Sequence, residues 1–186
     1  MLSVSSPFRR MSAEEYLRLP EDFFRCELIR GVVRVPPSPL FRHQDSQGQF
    51  FYRLRLYLER HAVGRVVTET DVILDPRTVL CPDVLFVSRE REHIIRDHIY
   101  GAPDLVCEVL SKRTRQRDML VKSEIYLRHG VREYWLIDPA ARSRSLEVRV
   151  RLDGPQPAWR SVSGPVLASR LLPGFEVRAE QIFGDS

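Results

Sequence analysis

The chain has only two lysines, Lys112 and Lys122, against 27 arginines. It also lacks any apolar run approaching the roughly 18 residues of a membrane-spanning helix, which excludes an α-helical integral membrane protein. The amino-terminal stretch Met1–Tyr16 has no apolar segment long enough for a secretory signal, so the expected compartment is the cytoplasm. Only three cysteines occur, Cys26, Cys81 and Cys107, with no CxxC pair among them. That spacing argues against a zinc site or a disulfide framework and reads as three small buried apolar residues. No repeat, low-complexity tract or second composition regime interrupts the 186 residues, so a single domain over 1–186, with a core at about 11–183, is expected. A chain of this size buries about 70% of its unfolded surface and needs no metal or disulfide staple to fold.

The net charge of +4 is compatible with a polyanionic partner, though it is weak as an indicator. The arginine bias fits a GC-rich genome or life at high temperature, and it makes each lysine conspicuous.

Ser12-Ala-Glu-Glu15 matches a capping box and opens a short helix to about Leu19. Cys26–Ile29 and Val32–Val35 flank Arg30-Gly31 as a hairpin, and Pro36, Pro37 and Pro39 end its second strand. A long amphipathic helix follows over Phe41–His61. Strands are expected at Arg65–Leu74, Asp83–Val87, Asp104–Leu110, Glu133–Ile137 and Ser145–Val150, with shorter ones near Trp159–Val162 and Phe175–Val177. Ser88–His98 reads as a loop or short helix, and a helix over about Gln116–Arg128 has Gly130 at its carboxyl cap. The strand–helix–strand unit from Asp104 to Ile137 predicts an α/β fold, a mixed sheet flanked by helices on both faces.

Three residues stand out chemically. Glu108 lies inside an otherwise apolar strand on the face of Val106 and Leu110, where a carboxylate costs several kcal/mol unless it is paired or binds a metal. An arginine salt bridge is the structural alternative. Asp83 opens a strand directly after Pro82, a position that also suits a simple turn aspartate. Lys122 falls on one helical arc with Asp118, Met119, Ile125 and Tyr126, away from Ser123, Glu124 and Arg128. An i,i+4 pair with Asp118 would contribute only about 0.2–0.5 kcal/mol. Lysine is a compact donor whose protonation responds to burial, which suits a site better than guanidinium does. Two carboxylates on adjacent strands with a lysine beside them suit a hard cation such as Mg²⁺ and phosphoester chemistry.

Pro82-Asp83 followed by Glu108-Val109-Leu110 resembles the PD-(D/E)XK nuclease signature with its lysine displaced. More narrowly, the chain resembles the Uma-two family of restriction endonucleases. The resemblance runs through Cys26–Gly31, His43, Pro82–Val87, Pro103–Ser111, Asp118…Lys122…Tyr126, Gly130–Pro139 and Leu172–Phe175, covering roughly Met11 to Phe183. It implies a restriction endonuclease-like fold and a Mg²⁺- or Mn²⁺-dependent endonuclease acting on DNA. Asp83, Glu108, the main-chain carbonyl of Val109 and Glu27 would hold the metal. Lys122 would replace the lysine that commonly stands at the position of Leu110, and Tyr126 would stack one helical turn beyond it. A homodimer is implied as well. One departure is Lys112-Arg113 after Ser111, where the family often has Ser-Pro-Ser, so either Lys122 or Lys112 can be the catalytic lysine at this point. His43 reads as a general base, a helix cap or a phosphate contact. Arg113, Arg115 and Arg117 with Lys112 form a basic run next to Glu108 that suits phosphate contact or a solvated face. His61, His93, His98 and His129 read as surface residues. Two other functions remain open: a nucleic-acid-binding or regulatory module without turnover, and a hydrolase of another phosphoester.

Overall fold

The computed structural model describes residues 10–20, 26–140 and 146–184. Its first helix, α1 (Ala13–Leu17), opens with the expected capping box: the Glu15 amide donates to Ser12 Oγ at 3.1 Å, and the Ser12 amide donates to Glu15 Oε2 at 2.9 Å. Strands β1 (Glu27–Ile29) and β2 (Val32–Arg34) form the hairpin, with Arg30 (φ 52°) and Gly31 (φ 83°) both left-handed in the two-residue turn. An added Cβ at Gly31 would come within 2.6 Å of Arg10 Cβ, so glycine is required there for space as well as for its φ. After the prolines, α2 (Phe41–Arg60) buries Phe50, Leu54 and Leu58 along one stripe.

The segment expected as one strand over Arg65–Leu74 is instead two, β3 (Gly64–Thr68) and β4 (Val72–Asp75). The chain breaks at Glu69, which takes a left-handed φ of 49° and redirects it from one sheet to another. A short strand not anticipated, β5 (Thr78–Leu80), precedes β6 (Val84–Ser88). A 3-10 turn over Arg89–Ile94 and the two-residue β7 (Ile99–Tyr100) lead to β8 (Leu105–Val109). The helix expected at Gln116–Arg128 has two parts. Arg117–Lys122 is π-helical and runs directly into α3 (Ser123–His129), which Gly130 caps at φ 93°. Then come β9 (Glu133–Ile137), β10 (Leu146–Leu152), β11 (Ala158–Gly164), β12 (Val166–Ala168), β13 (Glu176–Arg178) and α4 (Ala179–Phe183). Ser145, expected to open the strand now seen as β10, lies outside the described residues.

The strands form a six-stranded sheet ordered β11-β10-β9-β8-β6-β3, antiparallel except for the parallel β8–β9 pair, and a five-stranded sheet ordered β2-β1-β5-β4-β7. The π-helical segment and α3 form the crossover that joins the parallel neighbours β8 and β9. On one face of the larger sheet, α2 and α4 pack over Leu105, Cys107, Val109, Trp135 and Ile137. On the other, Val106 and Leu110 meet Ile125, Tyr126 and Tyr134, together with Val72 and Leu80 of the smaller sheet. The fold is therefore mixed α/β with helices on both faces, and strand alternation along β8 sends Glu108 toward α3.

Candidate active site

Asp118 and Lys122, four residues apart in the π-helical segment, face the same place. Such segments recur at functional sites because the wider turn re-aims side chains, at the cost of disturbed backbone pairing. Here neighbouring strands stabilise it. Tyr134 Oη donates to the Asp118 carbonyl at 2.8 Å, and Arg149 Nη1 donates to the Met119 carbonyl at 2.7 Å and to Ser123 Oγ at 2.6 Å. Trp159 Nε1 donates to the Ser123 carbonyl at 3.0 Å. Ser123, expected to point away from the apolar arc, is buried by these contacts.

Lys122 Nζ lies 2.7 Å from Glu27 Oε1, 2.8 Å from Glu108 Oε1 and 3.5 Å from Asp118 Oδ1, and all four side chains are 3–4% exposed. The partner of Glu108 is thus a lysine, not an arginine. Burial alone would disfavour the ammonium, but Glu108, Glu27 and Asp118 together outweigh it and hold Lys122 well above its ordinary range. One ammonium serves several carboxylates, so burial still pushes Glu108 well up, with Lys122 pulling in the opposite direction. Tyr126, expected to stack beyond the lysine, instead donates its hydroxyl to Glu108 Oε1 at 2.8 Å. Burial and the adjoining Glu108 keep that phenol protonated.

Asp83 stands at the mouth of β6. Its Oδ2 accepts from the Val109 amide at 2.6 Å and lies 3.4 Å from His43 Nε2. Burial pushes its carboxyl up to about 6, against the pull of His43, the Val109 amide and Lys122. His43 therefore sits on the first turn of α2 as a partner of Asp83. Gln47, one turn further on, donates to the Asp83 carbonyl at 3.0 Å and to Glu69 Oε1 at 3.3 Å.

Glu27, His43, Glu69, Asp83, Glu108, Asp118 and Lys122 line a cavity of about 310 Å³. Lys112 and Arg113 stand exposed at its rim, away from the buried carboxylates that Lys122 contacts. Arg117 turns inward, 3.7 Å from Glu27 Oε2 and 3.5 Å from Asp118 Oδ1. Arg115 is paired with Asp138, so of the three arginines in the basic run Arg113 alone faces the cavity mouth as an exposed side chain. Cys26 and Cys107 are buried as expected, but Cys81 lines the cavity and donates its amide to Glu27 Oε1 at 3.3 Å. His129, read as a surface residue, contacts Asp75 at 3.2 Å and the Ile125 carbonyl at 2.8 Å.

Asp118, Gln47 and Glu69 are the site residues that sequence reasoning did not place there. Asp118 appears in the sequence as an i,i+4 neighbour of Lys122 and within the Asp118…Lys122…Tyr126 resemblance, with no role of its own. Nothing in the pattern around Glu69 marks the left-handed residue that turns it into the cavity.

The Uma2 family profile, described as "Putative restriction endonuclease", matches residues 13–180. The chain belongs to the Uma2 family. No curated protein matches it. The solved structure of a "putative nuclease belonging to DUF820" from Anabaena variabilis is similar, at 21% identity and a TM-score of 0.76, covering 93% of this chain and 97% of that one. That likeness supports the restriction endonuclease-like fold for this Uma2 protein.

The donor set in the cavity suits a hard cation. Four carboxylates, Glu27, Asp83, Glu108 and Asp118, face two fixed cations, Lys122 and Arg117. Buried Glu27 Oε2 and Asp118 Oδ1 have no hydrogen-bond partner. Among the described residues, no three His, Cys, Asp or Glu side chains converge as a ready-made cage, because Lys122 sits between the carboxylates. Mg²⁺ requires no such cage: it keeps several waters and is commonly held by one or two carboxylates.

Proposed function

We propose that this Uma2 protein is a Mg²⁺- or Mn²⁺-dependent endonuclease that hydrolyses DNA phosphodiester bonds, with Asp83, Glu108 and Lys122 as its active site. The buried Glu108–Lys122 pair, placed among further carboxylates beneath a cation-rimmed cavity, carries this reading. A structural ion pair needs one carboxylate. An excess of buried negative charge costs several kcal/mol unless something neutralises it, and a hard divalent ion on oxygen ligands would do so.

Asp83, Glu108 and the Val109 carbonyl would hold the metal, with Glu27 approaching from β1. When bound, it supplies Lewis-acid polarisation of the phosphoryl group and a lowered pKa for water. The chain's own residues do the rest. Tyr126 fixes the rotamer of Glu108, while His43 and the Val109 amide fix Asp83. Lys122 keeps its proton at Nζ and sets that charge against the negative charge that develops on the phosphate oxygens. Lys112 and Arg113 at the rim bind flanking phosphates.

A second reading, a nucleic-acid-binding module without turnover, draws on the same lysine. Nζ already bonds Glu27 and Glu108, so the cluster is partly neutralised without any metal. Cleavage of plasmid and single-stranded DNA with Mg²⁺ or Mn²⁺ separates the two, run beside Asp83→Ala and Lys122→Ala. The nuclease reading requires activity that both substitutions abolish. Undiminished activity in both would overturn the site assignment, and DNA binding without cleavage would favour the second reading.

A further inference from the structure

Two walls of the cavity differ in chemistry. One is the proline segment, with Pro36, Pro37, Pro39 and Leu40 facing inward. It continues outward into Val35 and Phe41, 72% and 86% exposed, the most exposed large hydrophobic residues among those described. Another is the loop after β8, where Lys112 and Arg113 line the cavity and are exposed. α2 begins at Phe41, its N-cap Leu40 providing no side-chain cap, and Arg42 in its first turn lines the cavity.

Each wall suits a different part of a nucleotide. Arginine, lysine and free helix-end amides bind phosphate. Apart from the Ser38 hydroxyl, this lip of proline, leucine and phenylalanine offers no side-chain donor or acceptor for base edges, so it is poorly equipped to read a groove. It offers rigid apolar and aromatic surface, which suits the face of a base. An apolar projection beside a polar site is also the kind of surface that marks a contact. In a duplex the base faces are stacked on one another and unavailable. An unpaired strand presents phosphate and base face together, as these two kinds of surface require.

Resting on the nuclease reading above, we propose that the substrate is single-stranded or unpaired nucleic acid, with its phosphates held by Arg42, Lys112 and Arg113 and a base next to the scissile phosphate packed on the Leu40–Phe41 lip. Phe41 is a specificity residue in this scheme. It is almost fully exposed, so replacing it leaves the core intact.

The test uses fluorescence anisotropy with the Glu108→Gln protein and Mn²⁺. The ligands are a short labelled single strand, the same sequence as a blunt duplex, and the single strand with abasic positions. The single strand should bind at least about tenfold more tightly than the duplex. Phe41→Ala should remove about tenfold of that affinity, the scale of one lost base–aromatic stack, with duplex binding unchanged and Phe41→Trp retaining the preference. The abasic strand should be insensitive to Phe41→Ala. Equal affinity for duplex and single strand would overturn the proposal, as would unchanged single-strand affinity in Phe41→Ala. A dimer that Phe41→Ala dissociates while DNA affinity holds would assign the lip to a second copy instead. If wild-type protein cuts duplex plasmid while these binding results fail, the nuclease reading stands and this inference falls. Absence of both binding and cleavage overturns both.

Discussion

Lys122→Met removes the one charge that three buried carboxylates share. Glu27, Glu108 and Asp118 are each 3–4% exposed, and Lys122 Nζ is within 2.7–3.5 Å of all of them. Removing one partner of a buried ion pair costs about 3–5 kcal/mol, because the other is left as an uncompensated buried charge. Methionine fills a similar volume, so cavity formation contributes little. In a chain of this size each kcal/mol lowers Tm by about 2–4 °C, so metal-free Lys122→Met should melt roughly 6–20 °C below the wild type near pH 8. The deficit should shrink toward pH 5, where the stranded carboxylates take up protons. Mn²⁺ should then stabilise the variant more than the wild type, since the ion replaces the lost ammonium; saturation at 100 times Kd contributes about 2.7 kcal/mol. Differential scanning fluorimetry over pH and Mn²⁺ concentration reads all three effects. A metal-free variant as stable as the wild type at pH 8 would refute the charge argument, and a smaller Mn²⁺ response than wild type would refute the site's affinity for cations.

Asp83 gives a pH dependence of definite sign. Its carboxyl is raised to about 6, so the folded chain holds that proton more tightly than the unfolded chain does. This residue's contribution to metal-free stability therefore declines as pH rises from the ordinary carboxylate range through about 6, and Mn²⁺ affinity rises over the same window as the proton leaves. Asp83→Asn should flatten both trends, and calorimetric Mn²⁺ titrations from pH 5 to 7.5 check it. Arg149→Ala leaves the Met119 carbonyl without its donor, at a cost of about 1–3 kcal/mol. It should also lower turnover per folded molecule, because the π-helical segment is free to rewind; urea midpoints and single-turnover rates separate the two effects. Gly31→Ala forces a side chain to φ 83° against Arg10 and should cost at least about 1–2 kcal/mol by urea unfolding, with Mn²⁺ affinity unchanged.

Much of this architecture is legible from residue chemistry. The Arg30-Gly31 turn, the proline stop before α2 and the apolar β8 interrupted by Glu108 each follow from a local rule. Lys122 was conspicuous by composition, and its burial against Glu108 follows from the strand–helix unit that carries both. Other features depend on contacts distant in sequence. Glu69 divides Arg65–Leu74 between two sheets through one left-handed residue, which hydropathy cannot register. Helical periodicity assumes 3.6 residues per turn, whereas Arg117–Lys122 is wound as a π-helix held by Tyr134 and Arg149 from β9 and β10. Asp118 would share the Lys122 face in an ordinary helix as well, whereas the burial of Ser123 follows from Arg149 and Trp159, which reach it from β10 and β11.

In the proposed function Glu108 and its neighbours hold a divalent ion for phosphodiester cleavage. The most direct measurement is Mn²⁺-dependent cleavage of single-stranded and plasmid DNA by wild type and Glu108→Gln, with folding of the variant verified by its melting curve. Wild-type cleavage should be abolished by EDTA and should fall by at least about a hundredfold in the folded variant, the scale of losing a key electrostatic group. Equal cleavage by the two proteins, or cleavage that persists in EDTA, would contradict the proposed function.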